Sequence, residues 1–177
     1  MEKSKTMNLA IGNAGGNIID TIRREAKNTD LKVPKYVYAD CDEQDLHRHN
    51  TDNSQSILLN YNNEAFPAEI FDGIANLVIV AGLGGKTATK FAELAAVVAK
   101  KSGVKYVNVI AAIPFQFEGM DKISFATSAA QRLSELKDVK TILFNNEDLM
   151  NKYPDLNFFN AFDAADLEMM HIAANLL

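Results

Sequence analysis

The chain is poor in the residues that staple, chelate or anchor a protein. One cysteine, Cys41, stands among 177 residues, which excludes an intramolecular disulfide and fits a reducing cytoplasm. Three histidines and that cysteine, none at ligand spacing, leave no zinc motif. No apolar run approaches the roughly 18 residues of a membrane span, and Met1-Glu2-Lys3-Ser4-Lys5 has no apolar signal core behind it. Basic residues are not in excess either. With 18 Lys and Arg against 23 Asp and Glu the net charge is −5, which argues against a general nucleic-acid binder. Repeats, low-complexity tracts and linkers are also missing, so one domain over 1–177 is expected. What remains is 47% hydrophobic and 23% charged, ordinary for a globular protein with one core.

Short apolar runs alternate with segments of helical period. Met7–Ile11, Tyr36–Ala39, Asn76–Ala81, Tyr106–Ile113 and Val139–Phe144 read as strands, with Ile57-Leu58-Leu59 a short one inside a polar loop over 47–63. Ile18, Ile19 and Ile22 share one helical face, an alanine-rich helix runs to about Lys101, and Ile123, Ala126, Ala130 and Leu133 mark another. Glu64–Ile74 reads as a short helix, and the chain from Asn157 onward as a long one. Such alternation predicts an α/β fold: a doubly wound parallel sheet covered by helices on both faces, in three layers. Ligands bind such sheets at the carboxyl ends of the strands. Two glycine turns stand there, Gly12-Asn13-Ala14-Gly15-Gly16 and Gly82-Leu83-Gly84-Gly85.

A glycine turn between strand and helix aims backbone N–H groups at a helix N-terminus, where an anion is favoured. Two of them suit a ligand with several phosphates, although tight turning alone also explains glycine. A dinucleotide fingerprint would need glycine where Ala14 and Asn17 stand. Gly85-Lys86-Thr87 has the ending of a P-loop, but the motif needs glycine at Val80, inside the strand. An ATP-using P-loop enzyme is the weakest of the alternatives.

Six segments in register resemble the nucleotide-binding domain of the FtsZ/tubulin family, over nearly the whole chain. Ile11-Gly12-Asn13-Ala14-Gly15-Gly16-Asn17 is similar to that family's first glycine loop, and Asp40-Cys41-Asp42-Glu43-Gln44-Asp45-Leu46 to its N-T-D-x-Q-x-L segment. Ala81-Gly82-Leu83-Gly84-Gly85-Lys86-Thr87-Ala88-Thr89-Lys90 takes the place of the signature G-G-G-T-G-T-G. Pro114-Phe115-Gln116-Phe117-Glu118-Gly119 matches a P-F-x-F-E-G loop, Asn146 a short N-D loop, and Asn160-Ala161-Phe162-Asp163-Ala164-Ala165-Asp166 the start of the central helix.

The resemblance implies a strand order 3-2-1-4-5-6 and GTP or GDP as cofactor, with magnesium as an optional companion. The base would stack on Phe162, and the Asp166 carboxylate, one helical turn on, would accept from the guanine N1 and N2 donors. Asn17 and Asn146 would complete the base contacts and Glu118 the ribose contacts, with Lys122 nearby. The phosphates would lie against Asn13, Ala14, Gly15 and Gly16 and against Gly84, Gly85, Lys86, Thr87, Ala88, Thr89 and Lys90. This end departs from the family. Lys86, Ala88 and Lys90 replace glycines, residues 53–63 hold no glycine, and Asp40 in place of asparagine is expected to bring negative charge towards the phosphates.

The family hydrolyses nucleotide with acidic residues beyond the central helix, contributed to a neighbour. This sequence stops inside that helix (157–177), so the second domain is expected to be absent and the chain alone to show little or no GTP turnover. The rival reading is a pseudo-GTPase interaction module without nucleotide. Phe158, Phe162, Ala165, Met169, Ile172, Ala173 and Leu176 form one apolar stripe on that helix, and Leu167, Met170, Ala174 and Leu177 a second. The second predicts self-association, or pairing with an FtsZ-like partner. His47 and His49 are expected to be solvated, His171 to lie on the polar side of the helix, and Cys41 to be a packing residue rather than a nucleophile.

Overall fold

The computed structural model describes residues 5–26, 35–51 and 53–176. Six strands form one wholly parallel sheet in the order β3-β2-β1-β4-β5-β6, the expected order. They are β1 (Lys5–Ile11), β2 (Lys35–Asp40), β3 (Ser54–Leu58), β4 (Ile74–Gly82), β5 (Tyr106–Ile113) and β6 (Lys140–Asn145). The helices are α1 (Gly12–Ala26), α2 (Glu43–Arg48), α3 (Lys86–Lys101), α4 (Met120–Ser134), α5 (Glu147–Lys152) and α6 (Ala161–Ala174).

The period-2 geometry of the strands sorts the apolar residues into two cores. Met7, Leu9 and Ile11 point to the face covered by α3 and α4, where Phe91, Ala95, Ala99, Ala126 and Leu133 are buried with them. Ala10, Tyr38, Val80 and Ile110 point the other way, towards Ile18, Ile19 and Ile22 of α1 and Met169, Met170 and Ala173 of α6. The alanines of α3 let that helix lie close on the sheet around Phe91, which is fully buried; Phe91→Ala would cost about 3–5 kcal/mol. Gly15 serves the opposite face. A Cβ there would lie 2.4 Å from the Val80 carbonyl oxygen, so only glycine lets α1 cross β4 at this distance.

Several local expectations change. The first glycine turn is the opening of α1 itself, with no loop between strand and helix. Residues 43–48 are helical, begun by Asp42, whose side chain accepts from the Gln44 N–H. The helix expected over Glu64–Ile74 shrinks to one 3-10 turn, Ala68–Phe71, because Phe66, Ile70 and Phe71 dock on the first core and Ile74 already belongs to β4. A short α5, not expected, follows Asn146. The final helix starts at Ala161 rather than Asn157, since Asn157 to Asn160 form a turn in which the Asn160 side chain accepts from the Asn157 N–H at 2.7 Å. Met170 leaves the second stripe. It is buried beside Met169 against α1 and β5, so Leu167 and Ala174 are the exposed members of that stripe, and Leu177 lies outside the described residues.

Candidate functional site

A cavity of about 790 Å³ runs along the carboxyl edge of the sheet, from Asp40 at the end of β2 to Asn146 just beyond β6. It crosses the point where β1 and β4 part, which is where the doubly wound order reverses. Of the residues singled out in the sequence, Asn13, Ala14, Gly85, Lys86, Thr87 and Ala88 line one end. Glu118, Lys122, Asn146, Phe162 and Asp166 line the other. Gly15, Gly16, Asn17, Gly84, Thr89 and Lys90 are not brought to it. Gly15 faces Val80, Gly16 faces His49, and Asn17 is exposed on α1. Thr89 Oγ1 accepts the Gly84 N–H at 2.9 Å, which closes the turn before α3. Lys90 is drawn aside: its ammonium donates to the Tyr61 carbonyl at 2.5 Å and sits over the Tyr61 ring.

The end near β2 is held by short side chains. Gly85 caps α3 and has no side-chain acceptor of its own, so the first N–H groups of that helix face the cavity uncapped by a side chain. Thr87 is buried and its hydroxyl donates to Asp40 Oδ1 at 2.6 Å, the same oxygen that accepts from the Cys41 N–H at 2.7 Å. Asp40 is therefore spent on fastening β2 to α3, and its charge is turned on these donors rather than on a ligand. Cys41 packs on the first core, and burial raises its thiol pKa, which suits packing and not nucleophilic chemistry.

The end near β6 has polar groups with capacity left. Asn146 is 7% exposed and its Oδ1 accepts no hydrogen bond, an arrangement that costs stability unless something supplies a donor. On α6, Phe162 and Asp166 stand one turn apart. Burial, and then the neighbouring Asp163, push the Asp166 carboxyl up to about 7, against the pull of Arg24. Phe162 meets Phe115 and Phe117 edge-on, with ring centres 5.4 and 5.9 Å apart, and remains 44% exposed. Glu118 is already engaged: one oxygen accepts the Phe115 N–H at 2.9 Å and the other binds the Lys122 ammonium.

The expectation for His49 fails. It is 4% exposed, stacked on Tyr38 with the rings 5.3 Å apart, and bonded through Nδ1 to Asp20 and through Nε2 to Asn13. A histidine in a run of Asn, Asp and Thr gives no periodic signal of burial. Its partners come from α1 and β2, so only the tertiary fold could reveal them. His47 and His171 are exposed.

No family model matches the sequence. The cell division protein FtsZ of Caulobacter vibrioides is 27% identical over 187 aligned residues, covering 96% of this chain and 36% of that protein. FtsZ 1 of Thermococcus kodakarensis is 37% identical over 98 residues, 55% of this chain and 26% of that protein. Among solved structures, an empty FtsZ dimer from M. jannaschii superposes with a TM-score of 0.80 at 26% identity, over 95% of this chain and 52% of that one. The fold is thus that of the tubulin-like nucleotide-binding domain, α/β and Rossmann-like. In sequence and in fold the chain is similar to the FtsZ/tubulin family. It spans about a third of the length of the Caulobacter relative and about half that of the archaeal structure.

Proposed function

We propose that this chain is a guanine-nucleotide-binding, FtsZ-like domain with little or no GTP turnover of its own. The observation that carries the reading is the end of the cavity near β6, where Asn146 Oδ1 has no donor and the Asp166 carboxylate lies within one helical turn of an available aromatic face. Guanine supplies N1 and N2 donors, which adenine does not present at that edge, and a flat surface for Phe162. The cavity then continues towards the uncapped start of α3 and Lys86, where a diphosphate or triphosphate would lie. Among the described residues no cluster of three or more His, Cys, Asp or Glu side chains could hold an ion alone. A divalent cation would therefore arrive with the phosphates.

Little turnover is supported by the state of the carboxylates lining the phosphate end: among the described residues Asp40 accepts from Thr87 and Cys41, Asp42 from Gln44 and Asp45 from Arg48. Catalysis of hydrolysis is mostly positioning and electrostatics, and Lys86 would supply the second without the first. Thermal unfolding with GDP, GTP and ATP tests the reading, because a ligand bound only by the folded state raises the midpoint. A rise with GDP and GTP but not ATP is expected; equal or absent shifts would overturn it. The pseudo-GTPase alternative rests on Lys90 and Thr89, which are occupied by Tyr61 and Gly84 rather than turned to the cavity. Self-association is part of the reading. Leu167, 47% exposed on α6, is its most direct probe: Leu167→Glu should leave the fold intact and abolish any dimer seen by light scattering.

A further inference from the structure

His49 belongs to none of the segments that resemble the family, yet it is buried and bonded to Asn13, which lines the cavity. Its ring is held on every side. Tyr38 of β2 stacks on one face with planes 3° apart. At Gly16 of α1 any Cβ would stand 2.3 Å from Nε2, so glycine is what lets the ring lie there. Nδ1 is 2.7 Å from Asp20 Oδ2, and Asp20 also accepts the Tyr38 hydroxyl at 2.6 Å. Burial alone would raise the Asp20 pKa, but the bonds from His49 and Tyr38 and the charges of His49 and Arg23 outweigh it and hold it below the usual carboxylate value. Asp20 is therefore an ionised acceptor, and Nδ1 carries a proton in either charge state of the ring.

That leaves Nε2 as the variable atom, and its partner is Asn13 Oδ1 at 3.1 Å. Asn13 also lines the cavity. We propose that His49 is a positioning residue that decides which end of the Asn13 amide faces the cavity. When Nε2 is protonated it donates to Oδ1, and the amide NH₂ is left for the cavity as a donor to an anion. When Nε2 is bare it must accept from the NH₂, and the carbonyl oxygen is turned to the cavity, where it repels a phosphate. The other charged groups at the ring are Asp20 and, beyond Tyr38, Arg23 from α1; Arg48 and Asp45 of the adjacent α2 are bonded to each other at 2.8 Å. The phosphate end would thus select anions through the Asn13 side chain. This rests on the nucleotide reading for its ligand, and on geometry alone for the coupling.

Two measurements on the whole chain separate these. In ligand-free, isotope-labelled protein, NMR of the His49 ring nitrogens and the Asn13 side-chain NH₂ is followed from pH 5 to 8, the range in which imidazoles generally change charge. The Asn13 signals should move with the His49 protonation step and with no other; an Asn13 amide indifferent to that step overturns the proposal without recourse to any variant. Pyrophosphate and GDP are then titrated into wild type and Asn13→Ser. Wild type should bind pyrophosphate about fivefold or more tightly with His49 charged than neutral, relative to Asn13→Ser. The ligand's own protonation is common to both proteins and cancels. Equal pH dependence in the two proteins would also overturn the proposal. Coupled His49 and Asn13 signals with pyrophosphate bound and GDP no better than pyrophosphate would leave it standing and remove the guanine reading instead.

Discussion

The two ends of the cavity are built on different logic. Near β6, Glu118 and Lys122 are paired, but the buried Asn146 Oδ1 lacks a donor and the half-buried Asp166 is held up to about 7 by burial and Asp163. Near β2 the polar groups are largely consumed by the protein, with Asp40 on Thr87 and Cys41, Asp42 on Gln44, Asp45 on Arg48 and Asn13 on His49. A site preorganised for a ligand keeps donors and acceptors unpaired, at a cost in stability. A site satisfied from within keeps the fold and gives up affinity. On the proposed nucleotide reading, the chain would keep recognition of a base more fully than recognition of its phosphates.

The comparison breaks most easily at Asp166. Asp166→Ala should lose two desolvated bonds to guanine, on the order of 2–4 kcal/mol in GDP affinity by calorimetry. An unchanged affinity would place the base elsewhere. Phe162→Ala should cost less, about 1–3 kcal/mol, the usual worth of a stacked base. Guanosine, which has no phosphate to titrate, isolates the effect of pH. With the Asp166 carboxyl at about 7, its affinity should rise about tenfold from pH 6 to pH 8 as the acceptor ionises, and Asp166→Asn should remove the dependence.

The same group gives a stability test whose sign is fixed. A carboxyl raised from 3.8 to about 7 favours the folded state fully below 3.8, and that contribution is lost as pH climbs through about 7. Ligand-free Asp166→Asn should therefore lose less stability than wild type over that window in urea unfolding. At the other end of the cavity Lys86→Ala should weaken GDP by about 1–2 kcal/mol while leaving guanosine alone. Lys90→Ala, whose amine is bound to Tyr61, should stay within about 0.5 kcal/mol for both ligands. If Lys90→Ala costs as much as Lys86→Ala, the two ends are not as different as their hydrogen bonding indicates.

The parallel, doubly wound class and the buried faces of α1, α3 and α4 were legible in the sequence, because near-continuous apolar strands and helical stripes record burial directly, while the strand order came through the resemblance. Tyr106–Ile113 matches its strand end to end. The short elements were not. α2 and α5 have six residues each, too few for a period to show, and are begun by Asp42 accepting the Gln44 N–H and by the Asn145 side chain accepting the Glu147 N–H. Met170 was misassigned because α6 is apolar nearly all round, and which side is buried depends on α1 and β5 rather than on α6 itself. In the site, Phe162, Asp166 and Asn146 were found through resemblance, and the structure brings them to one cavity. His49 could not be found that way, since its meaning lies in partners distant in sequence.

The packing of α6 against α1 also has a consequence for the order of events in folding. These helices come from opposite ends of the described chain, and the second core, like the cavity above it, needs both. Closing so long a loop is slow compared with pairing neighbouring strands. The sheet can therefore assemble around β1, β4 and β5 before the pocket exists, and during synthesis the end of the cavity near β6 comes into being only once α6 has emerged and docked. A ligand present at that moment would act as a latch on α6, slowing its release far more than it speeds the formation of the sheet.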